Sequence, residues 1–201
     1  MQESLTRDTR LALDLALTVR HDGRGGVADD LADPAGLTTW IRAHPEIVPD
    51  AAAFTADRAS LTAVRDLRAA VRAPFAHAVR PAELSRADAA RLLPVPEAVA
   101  RLNAAAARTP TVPVLHWPEG AEPAVHARAA DGAHDLTAAL AQATIAFLAG
   151  PDRQRLRARH APRCMRCFLK EHPRQEWCRP SCGNRAGVAR HHDRHKTVQG
   201  A

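Results

Sequence analysis

Four cysteines offer the chain's clearest chemistry: Cys164 and Cys167 flank two residues, ten residues follow, and Cys178 and Cys182 flank three more. Paired thiolates at such spacing can sit on a tight knuckle whose backbone N–H groups point at the sulfurs, and a pair at i, i+4 can share the first turn of a helix. Four soft ligands then close a tetrahedron around one structural Zn²⁺, with no position left for a catalytic water. A segment this short buries too little apolar surface to fold alone, so metal binding would supply much of its folding free energy, on the order of 10 kcal/mol. A redox-active Cys164/Cys167 pair, two disulfides and an iron–sulfur cluster are the competing uses of the same residues. They fit less well: a thioredoxin-like βαβ pattern and any sign of an oxidising compartment are missing, and the two-by-two pairing favours zinc.

Beyond Cys182 the chain reads Gly183-Asn184-Arg185 and then places Arg190, Arg194 and Lys196 along a basic stretch. Asn184 can give and accept hydrogen bonds at a base edge, and Arg185 can fork onto guanine or a phosphate. Arg179, Arg190, Arg194 and Lys196 suit backbone phosphates, where each neutralised charge adds salt-sensitive affinity without reading sequence. Equally well, Asn184 and Arg185 can buttress the knuckle through its carbonyls. His191 and His195 share a helix face but are left unassigned. The remaining histidines are scattered, and no Ser/His/Asp set or carboxylate pair stands out, so an enzyme is not expected.

Charge supports a polyanionic partner. Residues 151–201 carry thirteen Lys/Arg against four Asp/Glu, a surplus of nine, so with a whole-chain charge of +6 the first 150 residues carry −3. In the cytoplasm such a surplus usually meets nucleic acid. A cytoplasmic location is itself the expectation, because neither a signal peptide nor a run of about 20 apolar residues is present, and no membrane contact is expected.

The elements that must carry this tail occupy the rest of the 201 residues, enough for one ordinary domain and a small appendage. Aromatics are 3% and Tyr is absent, so the core must be built from Ala, Leu and Val, and helices should dominate. Leu11 to Val19 reads as a first helix, broken by Asp22-Gly23-Arg24-Gly25-Gly26. Asp33-Pro34 starts a second, carrying Leu37, Trp40, Ile41 and His44 and stopped by Pro45. From about Thr55 to Arg80, apolar residues recur at helical spacing, predicting a long helix kinked at Pro74 with Arg65, Asp66, Arg68 and Arg72 mostly outward. Ser85 to Leu93 predicts a short helix, and Pro96 opens another through Ala106. Val112 to Trp117 and Ala124 to Arg128 predict a hairpin around Gly120. Leu136 to Leu148 forms a last core helix, closed by Gly150-Pro151. Residues 151–162 read as a basic connector with helical potential. A ligand pocket is expected between helices and hairpin near Trp40, His116 and Trp117.

The C-terminal residues Trp177-Cys178, Cys182-Gly183-Asn184-Arg185, His191 and Arg194 resemble the signature of bacterial CGNR zinc-finger proteins with an N-terminal ABATE domain, described as stress-induced transcription regulators. Ala12-Leu13-Asp14-Leu15, Asp30-Leu31, Leu37-Thr38-Thr39-Trp40-Ile41, Leu67-Arg68 and Leu102-Asn103 follow that domain's order more loosely. Where many members carry Asn-Thr, this chain has Leu17-Thr18. The resemblance implies an α+β fold: a mainly helical N-terminal domain with a small antiparallel sheet, and a treble-clef-like finger whose zinc ligands are Cys164, Cys167, Cys178 and Cys182. The resulting expectation is a sensing domain over residues 1–150, a connector over 151–162 and a zinc-dependent DNA reader over 163–201, acting as a homodimer or using the connector as a second attachment. The alternative is a zinc-dependent protein-interaction module that meets an acidic partner.

Overall fold

The structure, a computed structural model, describes residues 6–21, 27–79, 92–130, 132, 134–158 and 167–170. The described chain runs α1 (Arg7–Leu17), β1 (Val19–His21), β2 (Val27–Asp29), α2 (Pro34–Arg42), α3 (Arg58–Ala78), α4 (Val95–Ala106), β3 (Thr111–His116), β4 (Ala124–Ala129) and α5 (Leu136–Ala149). A 3₁₀ turn (Pro151–Arg155), β5 (Leu156–Ala158) and β6 (Cys167–Leu169) complete it. Helices therefore dominate, and the strands pair as three separate antiparallel ribbons. No described helix is long and apolar enough to cross a membrane.

Side-chain caps start the helices where the sequence signals them. Asp33 accepts the Gly36 N–H at 2.8 Å, with Pro34 in the first turn where no donor is needed. Gly36 is required here, because a Cβ would lie 2.4 Å from the Asp30 carbonyl oxygen. Helix α3 begins at Arg58 rather than Thr55, since Asp57 and Ser60 form a reciprocal capping box. It runs through the buried Pro74 and ends at Ala78. The segment expected as a short helix over 85–93 lies mostly outside the described residues.

The core lies where α1, α3, α4 and α5 pack together. Leu11, Leu15, Val64, Val71, Leu102 and Leu140 are buried there, and the Phe75 and Phe147 rings meet at 5.1 Å. Each such Leu contributes roughly 1.5–3 kcal/mol by leaving water. Gln142 ties α5 to the end of α4 by donating to the Ala106 and Thr109 carbonyls at 3.2 and 2.7 Å.

The expected hairpin is present, with Thr111 paired to Ala129 and His116 to Ala124. The glycine at its turn, Gly120, holds φ at +75°, a conformation only glycine adopts freely. Ala130 donates to the Pro110 carbonyl at 2.9 Å. Alternation from that bond makes 112/128 a hydrogen-bonded pair and turns Pro113, which has no N–H, toward the outer edge of β3.

Two expectations need correction. The first helix does not reach Val19: Thr18 ends it, its hydroxyl donating to the Leu15 carbonyl at 2.7 Å, and Val19 enters a ribbon with β2. In the stretch read as a basic connector with helical potential, residues 151–158 form one 3₁₀ turn and then a strand, whose extended backbone carries Leu156 into the core; 159–162 lie outside the described residues.

Candidate functional site

Cys167 opens β6, is half-buried, and lies opposite Ala158 in the ladder. Strand β6 is held from both directions. Lys170 donates its N–H to the Arg155 carbonyl at 2.8 Å, and the Arg155 guanidinium returns a bond to the Lys170 carbonyl at 3.3 Å. Arg155 also pairs with Asp152 at 2.8 Å, and Asp152 accepts the Thr9 hydroxyl from α1 at 2.8 Å. Leu156 and Leu169, cross-strand partners, are both buried. Cys167 thus sits on backbone whose position is set by the helical core, which suits a metal ligand that must meet others at fixed distances.

Cys164, Cys178 and Cys182 lie outside the described residues, as do Arg179, Asn184, Arg185, Arg190, Arg194 and Lys196. Four thiolates are a donor set that zinc accepts readily, and the seated strand at Cys167 is compatible with one. Among the described residues, no group of three or more His, Cys, Asp or Glu side chains is arranged to hold a metal.

The three residues expected around a pocket fall into two groups. Trp40 is half-buried in α2 and meets the His44 ring at a tilt of 34°, with ring centroids 4.4 Å apart. His44 is held between helices: Nδ1 lies 2.7 Å from the Trp40 carbonyl and Nε2 3.3 Å from the Asp14 carboxylate of α1. The bond to Asp14 favours the protonated ring more than burial disfavours it, so the His44 pKa is raised. His116 and Trp117, by contrast, stand on the exposed hairpin. His116 is 5.9 Å from His126, and Trp117, 68% exposed, donates its indole N–H to the Ala121 carbonyl at 3.1 Å. Among the described residues, no ring contact joins Trp40 to either.

A polar cluster that sequence reading missed lies between α3 and the β1–β2 ribbon. Arg68, expected to face outward, is 7% exposed and forks onto Asp29 at 2.5 and 2.8 Å, with a further bond to the Thr18 hydroxyl at 3.0 Å. Arg65 approaches the same carboxylate at 3.5 Å, and the Leu31 N–H donates to it at 2.9 Å. Burial pushes the Asp29 carboxyl up, but the Arg68 and Leu31 hydrogen bonds and the two guanidinium charges outweigh it and hold the pKa below the usual range. A signal was present: Val64, Arg68 and Val71 stand at spacings that share one helix face.

Residues 9–151 match the ABATE family, whose description is "Putative stress-induced transcription regulator". Residues 155–195 match the CGNR zinc finger. No curated protein matches the chain.

Proposed function

The chain belongs to the ABATE family and carries a CGNR zinc finger, and from that premise we propose that it is a transcription regulator whose C-terminal finger binds DNA. A CGNR zinc finger implies zinc. In this reading one structural ion is held by Cys164, Cys167, Cys178 and Cys182, and its chemistry is to cross-link the segment. Arg185 and Asn184 then meet base edges or phosphates, and Arg179, Arg190, Arg194 and Lys196 track the backbone. The N-terminal domain, which holds no catalytic grouping in this reading, takes the sensing role. The observation that carries the reading is the surplus of nine positive charges over residues 151–201, beside a matched finger and a family described as transcriptional.

The test is binding of the full chain to random duplex DNA across a salt series. Affinity should fall steeply as salt rises, and the double variant Arg185→Ala, Arg190→Ala should reduce the slope of log K against log salt by about 2. Genome-wide mapping with a Cys182→Ser control should then show occupied sites only with the intact cysteine set. Absence of salt-dependent retention would leave the finger as a protein-docking module instead.

A further inference from the structure

We propose that the metal centre and the helical core are one cooperative unit, so that metal occupancy stabilises the core and the state of the core sets metal affinity. The two matched segments meet between residues 151 and 155, where a chain of independent domains would have its linker. The structure carries the core straight across that junction. Leu156 is 1% exposed and Leu169 6% exposed, and both belong to the same apolar cluster as Leu11, Leu15 and Val71. Strand β5 packs on α3 and strand β6 on α1. The bonds Thr9–Asp152, Asp152–Arg155 and Arg155–Lys170 run in series from α1 to the end of β6.

A ribbon of two three-residue strands cannot hold its own register in water. Its order comes from what grips it: Leu156 and Leu169 gripped by the core and, on the zinc reading above, Cys167 gripped by the metal. Cys167 precedes Leu169 by two residues on extended backbone, a Cα separation of about 7 Å. Seating one therefore seats the other. With the metal gone, the Cys167 end frays and Leu169 is drawn toward water. With the core loosened at α1 or α3, Cys167 loses its fixed position and the metal binds more weakly. The coupling is reciprocal by thermodynamic necessity, and a ligand or partner that shifts α1 would change the finger's metal affinity without touching it.

The experiment uses the full chain with Trp117→Phe and Trp177→Phe, so that Trp40, packed against the core, reports the helical domain alone. Under reducing conditions, the zinc-loaded protein should melt about 5 °C above the chelator-stripped protein by the Trp40 signal. In a competition titration, Leu169→Ala should weaken zinc about tenfold, equivalent to about 1.4 kcal/mol. Leu115→Ala, the same change on the exposed hairpin, should leave zinc affinity unaltered. If Leu169→Ala does not fold, Leu169→Val should shift affinity in the same direction by less. A protein that takes up zinc yet shows the same Trp40 melting with and without it overturns the coupling alone. A protein that takes up no zinc overturns the zinc reading and the coupling with it.

Discussion

In the proposed reading, the helical core and the cysteine segment are stabilised by opposite means. The core excludes water from Leu, Val, Ala and Phe side chains drawn from Leu11 through to Leu169, so no single group decides whether it stands. The segment beyond Leu169 concentrates charge and polar residues, and in the proposed reading its order hangs on four sulfurs. A distributed core tolerates substitution and titration gradually, whereas a ligand-held segment is lost in one step. Strands β5 and β6 are where the two regimes meet.

The largest test removes a ligand. Cys178→Ser should abolish zinc retention and weaken DNA binding by more than about a hundredfold, because apparent zinc-folding energies are on the order of 10 kcal/mol. Far-ultraviolet circular dichroism should meanwhile keep most of its helical signal; collapse of that signal would erase the contrast between the regions. Next comes Arg68→Ala, which removes the two-pronged bond to Asp29 and leaves that carboxylate only Arg65 and the Leu31 N–H; it should cost about 2 kcal/mol in urea unfolding. A loss under 1 kcal/mol would mean that the cluster is solvated after all. Asp152→Ala removes the acceptor shared by Thr9 and Arg155, and a smaller loss of about 1 kcal/mol is expected. If the segment is seated through this contact, zinc affinity should fall in the same variant.

Smaller again is the pH effect at His44. Its pKa is raised above the ordinary 6.5 by Asp14, so the extra stability is fully present below pH 6.5 and is lost as pH climbs through the folded-state value. His44→Gln should flatten that slope, read as the urea midpoint between pH 6 and 8. The least effect belongs to Leu115→Ser on the hairpin, where Leu115 is 62% exposed. A change within about 0.5 kcal/mol is expected, and a larger one would show that this face is covered in solution.

Much of the frame was legible because local chemistry decides it. Asp33-Pro34 marks the start of α2, the 3.6-residue recurrence from Leu61 to Phe75 marks α3, and Gly120 between two β-rich runs marks the hairpin. The β1–β2 and β5–β6 ribbons were not legible, since three residues carry too little alternation to stand out against neighbouring helix. Arg68 was misread for a different reason. Charge on a helix usually faces water, and here the partner that reverses the rule, Asp29, is 39 residues away in sequence.

By itself the sequence determined the helix boundaries that caps and prolines enforce, the hairpin, the spacing of the four cysteines and the concentration of positive charge at one end. The caps and turns depend on residues within a few positions of one another, and the cysteines and the charge on composition within one stretch of chain. Only the tertiary structure decided that Arg68 turns inward, that His44 reaches Asp14 of α1, and that Leu156 and Leu169 tie the start of the finger into the helical core. Burial and pairing across 15 to 143 residues of sequence separation depend on which surfaces meet, and a surface exists only once the chain has folded.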